Sequence, residues 1–146
     1  MDETIYEAWR PRLLRFCTRM LRHAHDAEEV VQDVFTKLLT HERYRLDEEP
    51  GVLLFRLARN RCIDLRRKRA PEAHADLVAI APDAAPLRDL IEAIDRLPLP
   101  QREVLLLTAI DGLGYREVAA ILGCSLGTVA ARRYSAVQQL QRSIAR

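Results

Sequence analysis

Arg132 and Arg133, preceded by Ser125 and Thr128, are phosphate-binding residue types set at the start of a helix-forming run, SLGTVAARRYSAV. Hydroxyls and free backbone N–H groups at a helix N-terminus favour anions, and guanidinium groups grip phosphate oxygens from the turns that follow. A second basic block lies upstream: Arg56, Arg59, Arg61, Arg66, Arg67, Lys68 and Arg69 stand against a single acid, Asp64. Some of this charge suits a helix C-terminus, but seven basic side chains exceed what capping needs. Residues 26–49 have the opposite sign, with Asp26, Glu28, Glu29, Asp33, Glu42, Asp47, Glu48 and Glu49. Any one block alone reads as a solvated helix face. Together they imply a polyanion at the basic stretches and a protein partner at the acidic one.

Catalytic chemistry has little to rest on. No Ser-His-Asp or Cys-His set, carboxylate pair or Gly-rich phosphate loop stands out, so the chain reads as a binding protein without a cofactor, not an enzyme. His23 and His25 form a thin metal set with His41 or Cys17, and polar surface is the simpler reading. Cys17, Cys62 and Cys124 are odd in number and lie among apolar residues, which predicts reduced, buried thiols of a cytoplasmic protein. No apolar run approaches the roughly 20 residues a bilayer span needs, and no signal-peptide layout opens the chain, so no membrane insertion is expected.

The elements that must position these groups are helical. Apolar residues make up 49% of the 146 but aromatics only 5%, and glycine is scarce, which disfavours a sandwich or barrel. Trp9, Leu13, Phe16, Cys17 and Met20 form one helical stripe, with a kink or fresh start predicted at Pro11. Asp26 is placed to cap the next helix, about 26–40, with Glu29 in the reciprocal position. That helix pairs its apolar residues (Val30 and Val31, Val34 and Phe35, Leu38 and Leu39). A stripe so wide is either fully buried or offers one edge to a partner. A polar loop over 41–50 precedes a helix from about 51 to 69 that is apolar early and basic late.

Residues 71–86, rich in Ala and Pro, read as a flexible linker between two small helical domains at 1–70 and 87–146; extended, it spans on the order of 50 Å. The second domain begins LRDLIEAIDRL, breaks at Pro98 and Pro100, and resumes with QREVLLLTAI before a turn at 111–114. Ala119, Gly123 and Val129 then have the spacing of a helix-turn-helix: a small residue for close crossing, a glycine turn, and an apolar residue packing back. The last helix would bury Val137, Leu140 and Ile144.

Four blocks (DAEEVVQDVFTKLL, LFRLARNRCIDLRRK, LPLPQREVLLL and GYREVAAILGCSLGTV) together resemble the extracytoplasmic-function (ECF) sigma factors, in the family's order and over nearly the whole chain. The resemblance implies an all-α protein with a three-helix bundle like sigma region 2 and a helix-turn-helix domain like region 4. It implies a promoter-specificity subunit that binds the β′ clamp helices and β flap of RNA polymerase core, promoter DNA, and commonly an anti-sigma factor. Carried over by motif, core docking falls on Asp26, Glu29, Gln32, Asp33 and Phe35. Melting of the −10 element falls on the 41–50 loop with Asn60, Arg61, Asp64, Arg66 and Arg67. Contact with the −35 element falls on Ser125, Thr128, Arg132 and Arg133. Asn60 and Asp64, one turn apart, either face the promoter strand together or form an ordinary surface pair. Asp76 and Asp83 in the linker suit either a nucleic-acid mimic or a plain tether.

The sequence departs from the family in places. Where members often have TVKSRLxRAR, this chain has Ala130, Ala131, Arg133 and Val137 at the lysine, serine, an apolar position and the last arginine. Removing one phosphate-binding cation flattens the salt dependence of binding by about one unit of log slope. Leu53 stands where Trp is frequent, and Gly114 replaces a Ser or Thr cap at a cost of a few tenths of a kcal/mol. The thinned recognition helix leaves a rival reading, a sigma-like decoy that binds an anti-sigma factor or core without reading promoters. An ordinary helix-turn-helix regulator would not need the 26–40 block.

Overall fold

In the computed structural model, which describes residues 3–40, 50–68 and 85–144, the apolar stripes become seven α-helices and no strand forms among these residues. They divide into two compact units. The first contains α1 (Glu3–Leu21), α2 (Ala24–Thr40) and α3 (Pro50–Lys68), each packed on the other two. Most of the 41–50 loop, most of the 71–86 linker with Asp76 and Asp83, and His41 and Arg69 lie outside the described residues.

α1 runs through Pro11 without the predicted fresh start. A proline inside a helix costs about 3 kcal/mol, but Pro11 is exposed and the buried stripe Leu13, Phe16, Cys17 and Met20 continues beyond it. Burying four such side chains, at roughly 1.5–3 kcal/mol for the larger ones, outweighs one missing N–H. Phe55 of α3 meets Phe16 edge-on at 5.4 Å and Trp9 at 6.4 Å, and Tyr6 meets Phe35 of α2 at 4.8 Å. Edge-to-face rings add to the burial that fixes α1 against both neighbours. Leu53 is buried, so a repacked core accommodates the position where the family often has Trp.

α2 starts two residues before its predicted position. His23, not Asp26, takes the cap: its Nδ1 accepts the Asp26 backbone N–H at 3.2 Å. Asp26 moves to the reciprocal place three residues on, its carboxylate 3.4 Å from the same ring nitrogen. An imidazole nitrogen can accept a first-turn N–H as a hydroxyl does, a substitution the usual Ser/Thr/Asp/Asn preference hides. On the buried side, Val30, Val31, Val34 and Phe35 are all covered, while Leu39 is 64% exposed. The wide stripe is therefore core for most of the helix and uncovered at its end.

The second unit contains α4 (Ala85–Arg96), α5 (Leu99–Leu105), a π-helical turn (Leu106–Ile110), α6 (Tyr115–Leu122) as far as Ala119, and α7 (Leu126–Ile144). α4 begins inside the stretch read as linker, with Pro86 in the first turn, where proline's missing N–H costs nothing. The predicted break occurs at Pro98 but not at Pro100: α5 resumes at Leu99 and holds Pro100 in its first turn, where a missing N–H is tolerated. Buried Arg102 donates from one terminal nitrogen to the carbonyls of Asp95 at 2.6 Å and Leu97 at 3.0 Å, supplying donors to the end of α4. The π-helical turn was not foreseeable from an apolar run that any helix would fit. In α7 the buried residues are Val129 and Ala136; Val137 and Leu140 are only half-buried and Ile144 is exposed, contrary to expectation. Cys17 and Cys62 are buried as predicted, whereas Cys124 is half-exposed in the turn before α7.

Candidate functional site

The helix-turn-helix is built by three residues. The Ala119 carbonyl accepts the N–H groups of Gly123 at 2.8 Å and Cys124 at 3.2 Å, ending α6. Gly123 makes the reversal with φ at +68°, a left-handed conformation that disfavours any Cβ. Val129 is fully buried one turn into α7. At the front of α6 the Gly114 N–H donates to Glu117 Oε1 at 3.1 Å, so half of a capping box survives without a cap side chain.

Ser125 caps α7: its hydroxyl accepts the Thr128 N–H at 3.1 Å and lies 2.9 Å from the Thr128 hydroxyl. One of the two hydroxyl protons is used between them, so this pair serves the turn first and offers less to a phosphate than the sequence suggested. Arg132 and Arg133 are half-buried and make no ion pair among the described residues. At about 100° per residue they flank the buried Val129–Ala136 stripe, one on each side. The opposite pole carries Gly127, Ala131 and Tyr134, all exposed, with Tyr134 at 68%. Sequence reasoning, which looked for charge, missed Tyr134. Its spacing of five from Val129 was the available signal.

The basic end of α3 separates into faces by the same arithmetic. Asn60, Asp64 and Arg67, at i, i+4 and i+7, are exposed and share one side within about 60°. Asn60 and Asp64 make no bond to each other; Asn60 instead accepts a long contact from Arg59 at 3.5 Å. Arg61 points to α2, its Nε 3.4 Å from Asp33 Oδ2. Both partners are partly solvated, so this pair adds little stability. Arg66, expected on the DNA side, is half-buried and donates to the Met20 carbonyl at 2.9 Å, closing the end of α1. Burial, and then the nearby Arg22 charge, lower its pKa.

Two expected docking residues lie buried in this chain: Asp26 is 4% exposed beside His23, and Phe35 is likewise 4% exposed beneath Tyr6. Neither side chain stands out to meet a partner. Glu29 and Gln32 are exposed, Glu29 within 3.2 Å of His25 Nε2, and Asp33 is half-buried beside Arg61. Tyr6, Arg10, Gln32, Phe35 and Leu39 line a groove of about 290 Å³ between α1 and α2. Here Phe35 shapes the floor. Among the described residues no group of three or more His, Cys, Asp or Glu gathers to hold a metal, and no helix is long and apolar enough to cross a membrane.

Two family profiles match separate stretches of the chain. Residues 5–72 match the family profile described as sigma-70 region 2, and residues 87–140 match that of sigma-70 region 4. The ferric citrate uptake sigma factor FecI of Escherichia coli K12 is 31% identical over 140 residues, covering 87% of this chain and 81% of FecI. Two solved structures are similar throughout. One is the sigma factor RpoE with the anti-sigma factor NepR from Bartonella quintana: TM-score 0.83, 27% identity, 98% of this chain and 96% of that one. The other is CnrH with the cytosolic domain of CnrY: TM-score 0.77, 25% identity, covering 97% and 86%.

Proposed function

This chain belongs to the sigma-70 family as an ECF sigma factor that directs RNA polymerase to promoters, and from that premise we propose how its two units share the work. The first unit, residues 1–70, holds core polymerase and helps open the −10 element; the second, 87–146, reads the −35 element as duplex; residues 71–86 join them. The observation that carries this division is the exposed face of Asn60, Asp64 and Arg67 on α3, in a different unit from α7.

Melted DNA needs two kinds of contact: cations along the backbone and polar groups at the edge of an extruded base. Arg67 supplies the first, and the Asn60 amide and Asp64 carboxylate supply the second. Core docking falls to Glu29, Gln32 and Asp33 on α2; Gln32 lines the α1–α2 groove, and carboxylates and an amide on one helix next to an apolar groove suit a basic, partly apolar coiled coil. Duplex binding is supported by Arg132 and Arg133 flanking α7. The chain acts by binding, in the cytoplasm, and leaves the chemistry of RNA synthesis to the polymerase. An anti-sigma factor is a partner, as NepR is for the similar RpoE of Bartonella quintana.

Permanganate footprinting and promoter retention measured on one reconstituted holoenzyme test the division. Arg132→Ala is expected to weaken retention on the closed duplex, and Asn60→Ala or Arg67→Ala to reduce permanganate-reactive thymines with retention largely kept. Equal loss of retention by all three would overturn it.

A further inference from the structure

We infer that α7 reads its duplex through an uncharged face of Ala130, Ala131 and Tyr134, selecting thymines by their 5-methyl groups while Arg132 and Arg133 hold the phosphates on either side. The inference rests on the duplex-reading role of the second unit.

Val129 and Ala136 fix the inner side of α7 because both are fully buried. Counting about 100° per residue from Val129, Gly127, Ala131 and Tyr134 fall within about 40° of the opposite pole, and Ala130 within about 80°. All four are exposed. The residue types that read bases by paired hydrogen bonds (Arg or Lys to guanine, Asn or Gln to adenine, Glu or Asp to cytosine) are absent from this pole in the first turns of the helix. What it presents is methyl groups, bare backbone and one phenol.

In the major groove only thymine offers an apolar group, its 5-methyl, and alanine side chains are a known match for it. Small side chains also let the helix sit deep. A helix is about 10–12 Å across with its side chains, close to the roughly 12 Å groove, so each side chain shortened at the pole moves the axis nearer the bases. Tyr134 lies three residues beyond Ala131 and four beyond Ala130, on the same side, where its ring can close over the methyl contact and its hydroxyl can reach a base edge or phosphate.

A protein partner is a poorer match for the same face. Tyr134 is the one anchor type at this pole, and Gly127, Ala130 and Ala131 around it supply no second anchor and no walls to bury it, whereas interface energy concentrates in clustered, buried aromatic and arginine anchors. Arg132 and Arg133 stand at about −60° and +40° from Val129, on the two shoulders of the buried side and about 120–140° from the neutral pole, a placement for phosphate contacts beside the groove rather than for base contacts within it.

The test uses holoenzyme reconstituted from core polymerase and the full chain, on a promoter recovered by transcription of genomic fragments from the bacterium that makes it. Each thymine of the −35 element is replaced in turn by deoxyuridine, which removes the methyl group and leaves the pairing unchanged. The expected result is a loss of promoter affinity of about fourfold for each methyl that α7 contacts. In Ala130→Gly or Ala131→Gly holoenzyme, at least one of those thymine-to-deoxyuridine differences should disappear. A −35 element that is required yet indifferent to every deoxyuridine overturns the methyl-reading inference alone. A promoter that needs no −35 element at all overturns the duplex-reading role and the inference with it.

Discussion

Replacing Gly51 with alanine puts the seating of α3 to a quantitative test. A Cβ at this position would lie 2.6 Å from Cη2 of Trp9 and 3.0 Å from Cζ3, whereas carbon atoms rest at about 3.5–4.0 Å. The indole must therefore withdraw by roughly 1 Å. It is hemmed in by the Phe55 edge at 6.4 Å and by the Arg12 guanidinium 4.5 Å over its face. Overpacking of this kind costs about 1–3 kcal/mol. Alanine's better helix propensity, at most ~1 kcal/mol, is muted because Gly51 directly follows the opening residue of α3. The steric effect wins, with a net loss of about 1–2 kcal/mol. Trp9 is the only tryptophan, so its fluorescence during urea unfolding reports the first unit alone. A midpoint lower by roughly 1 M is expected for a slope of about 1–2 kcal/mol/M. With Trp9→Leu already present, and circular dichroism as the signal, the same substitution should be neutral or stabilising. A single variant as stable as the parent, with an unshifted emission spectrum, would show that the close approach of α3 to Trp9 is not needed.

Three further outcomes follow from the same packing. Arg66→Ala removes the donor to the Met20 carbonyl and should cost about 1–2 kcal/mol in urea unfolding, while Arg67→Ala, on the exposed face, should stay within about 0.5 kcal/mol. Gly123→Ala meets no atom within 4 Å, so only its left-handed φ resists; about 1 kcal/mol should be lost, lowering the melting of the second unit by about 4–8 °C. The Cys17 thiol is pushed well up, first by its hydrogen bond with Cys62 and then by burial. The folded state thus keeps a proton the unfolded chain releases: its contribution is complete below the ordinary thiol value of about 8.5 and lost as pH rises beyond it. Stability should fall on alkaline titration, and Cys17→Ala should flatten that fall; an unchanged slope would refute the assignment.

Periodic burial was legible from the residues alone, because the stripes through Leu13–Met20 and Val30–Phe35 repeat at helical spacing and the glycine at 123 can hardly serve anything but a turn. No fresh start came at Pro11: a local breaker was weighed without the tertiary packing that carries the helix through it. Asp26 misled for a related reason: an acidic residue at a helix start reads as exposed until the His23 ring is found taking the cap. Charged residues in a run look equivalent on paper. Yet Arg61, Arg66 and Arg67 go to an acid, a carbonyl and solvent, because 100° steps send neighbours to different faces. On the outer face of α7, Ala130 and Ala131 stood out as departures from the family pattern, and Tyr134 stayed hidden because it carries no charge.

Run-off transcription with purified core polymerase, this chain and fragments of its own genome tests the central claim most directly. Discrete transcripts, absent with core alone and sharing an upstream and a downstream element at fixed spacing, are the predicted result. A chain that binds core and yet fires no promoter across the fragments would contradict promoter direction and leave the decoy reading in its place.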